Sequence, residues 1–195
     1  KFFNLKINTD ASLLDEEMSY AILESGVKTL VFSADAADSV LYSQLRVNGK
    51  LEKIVTNIKK FKEIKTKNYP SSKIITRVSG VKVNNQQNLD DMEKYWGDFV
   101  DQVAFVSYVP WENVYKSEHS GIQTPCSDLW RRMFVWWDGK VNPCDVDYKS
   151  KLSMGDIKNG NISELWKSDV YNKLRQQHES KLRNNASPCN RCVVV

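Results

Sequence analysis

The chain has 195 residues, 41% of them hydrophobic and 27% charged, which are the values of a folded globular protein and exclude extended disorder. Its 28 basic and 24 acidic residues leave a net charge of +4, too balanced for a nucleic-acid surface. No apolar run approaches the roughly 20 residues of a membrane-spanning helix, so neither nucleic acid nor membrane is expected as a partner.

Taken in chain order, the pattern alternates strands with helices. A strand is predicted over residues 3–8, and its apolar run is too short for a signal peptide. Ser12 reads as the N-cap of a helix with Leu14, Met18, Ala21 and Ile22 as its apolar stripe, stopped at Gly26. A β-branched and aromatic run predicts a strand over 28–33, and a short helix follows over 37–45. Leu51, Ile54, Val55, Ile58, Phe61 and Ile64 fall at helical spacing and end before Pro70; the lysines between them form a solvated face. A third strand is predicted over 73–79, a helix over 89–99 and a fourth strand over 102–107.

Strands and helices alternating at this spacing imply βαβ units and a parallel sheet. Four strands are too few for a closed eight-stranded barrel, so a partial (βα) barrel or open sheet is expected over residues 1–108. Ligands of such folds sit at the C-terminal strand ends, here Asn8, Ser33, Arg77 with Ser79, and Ser107 with Tyr108. Alternation puts Ile75, Arg77 and Ser79 on one face, where a guanidinium suits a carboxylate. The plain alternative is that polar residues simply begin loops.

Residues 109–123, with Pro110 and Gly121, read as a linker. Beyond it, residues 124–195 form a second, smaller unit. Asp138-Gly139 between residues 134–137 and 140–142 signals a type I′ hairpin, with Trp136 and Trp137 on opposite faces. Turns are expected at Met154-Gly155-Asp156 and Asn159-Gly160-Asn161. One helix from about Ser163 would carry Leu165, Trp166, Val170, Tyr171 and Leu174 on one face.

All four cysteines lie in this second part: Cys126, Cys144, Cys189 and Cys192. The hairpin delivers Cys144, and Pro188 opens a Cys-x-x-Cys knuckle. The absence of a leader segment points to the reducing cytoplasm, where clustered thiols read as metal ligands before disulfides. A structural zinc site and an iron–sulfur cluster both remain open, since zinc favours two close pairs and a cubane tolerates wide spacing. His119 and His178 are expected at the surface, because four thiolates saturate one site.

The run Cys126-x-x-Leu129-x-x-Arg132-x-x-Val135-x-x-Asp138-Gly139-Lys140-Val141-x-Pro143-Cys144, then Met154-Gly155-Asp156, Ser163-Glu164-Leu165-Trp166, Tyr171-x-x-Leu174-Arg175-x-x-His178 and Pro188-Cys189-x-x-Cys192, resembles a known module. It is similar to the C-terminal auxiliary-cluster domain of radical S-adenosylmethionine enzymes, called SPASM with two clusters and twitch with one. Asn8-Thr9-Asp10-Ala11, Phe32-Ser33-Ala34-Asp35 and the stretch Leu45-Arg46 to Asn57-Ile58 resemble later strand ends and a helix of the same family's barrel. The resemblance implies an auxiliary [4Fe-4S] cluster on the four cysteines, and S-adenosylmethionine or substrate near Ser33 and Arg77. It implies as partners a sugar, cyclitol or peptide substrate and an electron donor such as flavodoxin or ferredoxin. The family's C-x-x-x-C-x-x-C loop and Gly-Gly-Glu-Pro motif have no counterpart here, so the chain is expected to be the C-terminal part of a longer enzyme, inactive alone. A zinc-binding structural or interaction domain is the alternative.

Overall fold

Short β-branched runs alternating with amphipathic segments give four parallel strands and four helices in this computed structural model, which describes residues 4–195. The strands are β1 (Lys6–Thr9), β2 (Thr29–Ser33), β3 (Ile75–Lys82) and β4 (Gln102–Ser107). The helices are α1 (Glu16–Glu24), α2 (Ser39–Leu45), α3 (Leu51–Asn68) and α4 (Leu89–Gly97). The strands pair in the order β1-β2-β3-β4, all parallel. Sequential order is that of a barrel segment, whereas a doubly wound sheet reverses direction partway. The fold is therefore the α/β partial barrel that the alternation predicts.

One strand face supplies the core and the other a polar surface. Leu30 and Phe32 of β2 and Val78 of β3 are buried with the helices. Leu51, Ile54, Val55, Ile58, Phe61 and Ile64 of α3 are all buried, as their spacing requires. Phe61 meets the Phe32 ring edge-on at 6.1 Å. On the opposite face, the register aligns Asn8, Val31, Arg77 and Gln102 in one row across the sheet. Gly80 permits the strands to close at this end, since a Cβ there would lie 2.3 Å from the Ala34 carbonyl.

Two local expectations are corrected. Strand β1 begins at Lys6; Phe3, where a strand start is predicted, lies outside the described residues. Helix α1 is capped by Asp15, whose Oδ1 accepts from the Met18 N–H at 2.7 Å, while Ser12 donates its hydroxyl to Asp10. The later start rotates the buried face to Ser19, Ile22 and Leu23 and leaves Met18 exposed.

Residues up to Tyr108 make one compact unit and Val109–Val195 a second. The second contains α5 (Asp128–Arg131) and an antiparallel sheet of β5 (Phe134–Val135), β6 (Lys140–Asn142) and β7 (Gly155–Asp156). Helices α6 (Ile162–Trp166) and α7 (Asp169–Glu179) follow. Leu129, Val141, Met154, Tyr171, Leu174 and Ala186 form its core. Residues 109–123 belong to this unit: the Tyr148 hydroxyl donates to the Glu112 carbonyl and the Ser120 N–H to the Asn190 carbonyl.

The hairpin turn is not type I′, which needs positive φ at both central residues. Only Gly139 is left-handed there, with φ of 95°, and its N–H returns to the Trp136 carbonyl, the pattern of a type I turn closed by a glycine bulge. Trp137 is consequently 97% exposed. Gly155-Asp156, predicted as part of a turn, is a strand because β6 is there to pair with it. The single C-terminal helix is two, since the Ser168 hydroxyl caps α7 through the Tyr171 N–H. Val170 is exposed as a result. No helix among the described residues is long and apolar enough to cross a membrane.

Phe61→Ala is expected to destabilise the first unit by about 3–5 kcal/mol in urea denaturation, the cost of emptying a filled aromatic site. Met18→Ala should change it by less than about 0.5 kcal/mol.

Candidate metal centre and strand-end recess

Different devices place Cys144, the Cys189 and Cys192 pair, and Cys126. Cys144 follows β6, and its loop is organised around the fully buried Asp147. The Asp147 carboxylate accepts the N–H groups of Lys151 and Leu152 at 2.9 and 2.7 Å and the Tyr115 hydroxyl. The buried Asn142 amide donates to the Asp147 carbonyl at 2.7 Å and to Ser150. The backbone N–H groups of Asp147 and Val146 are thereby directed at the Cys144 sulfur.

Cys189 and Cys192 sit on a knuckle in which the Pro188 carbonyl accepts from the Arg191 and Cys192 N–H groups. The Val194 N–H lies 3.4 Å from the Cys192 sulfur. Arg183, only 1% exposed, ties this knuckle to the chain before Cys126. Its guanidinium donates to the carbonyls of Cys189 (3.1 Å), Thr124 (3.0 Å), Cys192 (2.9 Å) and Val194 (2.7 Å). No signal in the sequence marks Arg183.

His178 corrects the sequence reading. It is fully buried on α7, not at the surface, and its Nδ1 accepts the Cys126 N–H at 3.2 Å. Burial first, then the Arg183 charge, lowers its pKa to about 4, so the ring is neutral. Its Nε2 is buried without a partner. His119 is exposed, as expected, with its Nε2 3.5 Å from the side-chain amide of Asn190 on the knuckle.

The four sulfurs share one electrostatic neighbourhood: Cys189 responds to Cys144, Cys192 and Cys126, and Cys192 to Cys126. All four are half-buried free thiols. Among the described residues, no three His, Cys, Asp or Glu side chains gather closely enough to hold a single metal ion. One zinc would draw its four sulfurs to about 2.3 Å from a common point. A donor set of four thiols suits a cluster, whose irons are spread over several ångströms, and His178 Nε2 is a buried donor without a partner on the residue that holds the Cys126 N–H. The residues present therefore fit an iron–sulfur group.

The first unit holds a recess of about 180 Å³ on the polar strand face. It gathers Asn8, Ser33, Arg77 and Ser79 with Lys6, Asp35 and Arg46; Ser107 and Tyr108 do not line it. Asp35 is taken by Arg46 at 2.8 Å and by the Val81 N–H. The Arg77 Nε and Nη2 both donate to Gln102 Oε1, which orients the cation and leaves its charge unopposed by a carboxylate. The recess is thus suited to an anionic group.

Comparison with known proteins follows this geometry. Residues 126–193, a span that includes all four cysteines, match SPASM, an iron–sulfur cluster-binding domain. No curated protein matches the chain. Among solved structures, Streptococcus suis SuiB bound to the precursor peptide SuiA is similar with a TM-score of 0.67 at 14% identity, over 87% of this chain and 49% of SuiB. SuiB bound to S-adenosylmethionine gives 0.62 at 14% identity, over 96% of this chain and 54% of SuiB. BtrN in an open conformation gives 0.46 at 14% identity, over 97% of this chain and 72% of BtrN. The chain thus spans about half the length of SuiB. It has the mixed α/β fold with a parallel sheet seen in radical S-adenosylmethionine enzymes.

Burial pushes the Cys144 and Cys189 thiols up to about 12 in the metal-free protein. An acid raised this way stabilises the folded state below the ordinary thiol value of about 8.5, and that contribution is lost as pH climbs from there to about 12. Ligation must expel these protons, so metal binding tightens with rising pH. An ultraviolet titration of metal-free protein should show two thiols ionising only near pH 12. Complete ionisation by about pH 9 would contradict this.

Proposed function

We infer that this chain, whose residues 126–193 carry the SPASM iron–sulfur cluster-binding domain, is part of a radical S-adenosylmethionine enzyme that modifies or oxidises a sugar, cyclitol or peptide. The single observation that carries the reading is that Cys126, Cys144, Cys189 and Cys192 all fall within the matched domain, where Cys189 feels the charge of the other three. These four would hold one [4Fe-4S] cluster, the twitch arrangement. The chain has four cysteines in all, so none remains for a second cluster. S-adenosylmethionine cleavage then falls to another part of the parent, and this chain alone is inactive.

When bound, the cluster supplies a one-electron acceptor or relay. The chain's own residues set its surroundings. Cys126, Cys144, Cys189 and Cys192 would together supply one thiolate for each iron, so substrate would not be held at this centre. The Arg183 cation and the N–H groups of Asp147, Val146 and Val194 offset the negative charge of the thiolates, which favours accepting an electron. In the first unit, Arg77 and Ser33 would position the carboxylate of S-adenosylmethionine or of the substrate. The peptide bound by SuiB supports peptides among the candidate substrates. An electron donor of the flavodoxin or ferredoxin kind would serve the parent enzyme, and a cytoplasmic setting agrees with four free thiols.

Anaerobic reconstitution followed by iron and sulfide analysis tests the reading. About four irons and four sulfides per chain with visible absorption, both lost in Cys144→Ala, are expected. One zinc per chain without visible absorption would replace the reading with a structural domain.

A further inference from the structure

We propose that His178 is a positioning residue of the metal centre, holding the Cys126 backbone through Nδ1 and donating its Nε2 proton to the sulfur shell of the cluster. This rests on the cluster reading above and extends it to a residue outside the ligand set. The tautomer follows from geometry. Nδ1 accepts the Cys126 N–H, so it carries no proton, and the single proton of a neutral imidazole resides on Nε2. That N–H is buried and has no acceptor among the described residues. A buried donor left unpaired costs about 1–3 kcal/mol, a penalty folded proteins rarely accept without a partner. His178 comes from α7, 52 residues from Cys126, so the contact is made by tertiary packing and not by local geometry. Sulfide and thiolate sulfurs are acceptors of the kind this donor lacks. A hydrogen bond to them withdraws electron density and raises the reduction potential.

The chain contains two histidines, His119 and His178, which makes the test direct. Protein grown with nitrogen-15 histidine is loaded with iron and sulfide, reduced, and measured by pulsed electron paramagnetic resonance. A weak nitrogen coupling and an exchangeable proton coupling are expected in the native protein and in His119→Asn. Both should vanish in His178→Asn, whose amide oxygen can replace Nδ1 as acceptor for Cys126 but which has no proton at the Nε2 position. His178→Asn should also keep its iron and show a lowered midpoint potential, whereas His178→Gln, with a donor near Nε2, should restore the potential in part. If His178→Asn does not retain the cluster, the labelled His119→Asn protein still decides, because His178 is then the one labelled residue.

A loaded protein with no histidine coupling overturns the proposal and leaves the cluster reading standing. So does a strong coupling of the size given by nitrogen bound to iron, which would make His178 a ligand. Failure of native protein to form any cluster overturns both.

Discussion

A guanidinium buried to 1% exposure is the constraint on which the second unit depends. Arg183 has five N–H donors in a rigid fork and spends four of them on carbonyls from both ends of the segment that carries the cysteines. Through them the knuckle of Cys189 and Cys192 is held against Thr124, two residues before Cys126. Such a cation is costly without a counter-charge. No carboxylate pairs with it among the described residues, and its field instead reaches the Cys189 and Cys192 sulfurs. Thiolates, and the net negative cluster they would carry on the proposed reading, would supply the missing charge.

The two units divide the chemistry between them. In the first, one strand face is spent on the core with α3, and the other carries a row of polar side chains in register. In that recess Arg77 is oriented by Gln102, Arg46 is paired with Asp35, and Lys6 adds a further cation. In the second, a hairpin, a loop ordered by Asp147 and a knuckle ordered by Arg183 each contribute cysteine positions. On the proposed reading, the first would orient an anion and the second would carry an electron.

Much of this was legible in the amino-acid pattern, and the misses share a cause. The six-residue stripe of α3 lies on the buried face because a long periodic helix is decided by its own sequence. Cys144 follows a hairpin strand and Cys189 and Cys192 sit on a knuckle of local origin, whereas Cys126 is tied to the distant His178. Pairing and distant contacts decided the rest. Gly155 is in a strand only because Val141 lies opposite it. Ser12 and Asp15 are both good caps, and packing chose the later one. Trp137 faces solvent because Gly139 alone takes the left-handed turn position. His178 looks like a polar residue late on a helix until the Cys126 N–H, far away in sequence, requires an acceptor. Arg183 sits among other polar residues and is distinguished solely by where the fold buries it.

The central claim is that four cysteines close the centre completely. Iron K-edge X-ray absorption on the reconstituted protein addresses it most directly. Four sulfur neighbours per iron, three sulfides and one thiolate, with no lighter scatterer and no change on adding candidate substrates, is the predicted result. An oxygen or nitrogen neighbour on about one iron in four would mean an open site, and would contradict a centre that serves only to carry electrons.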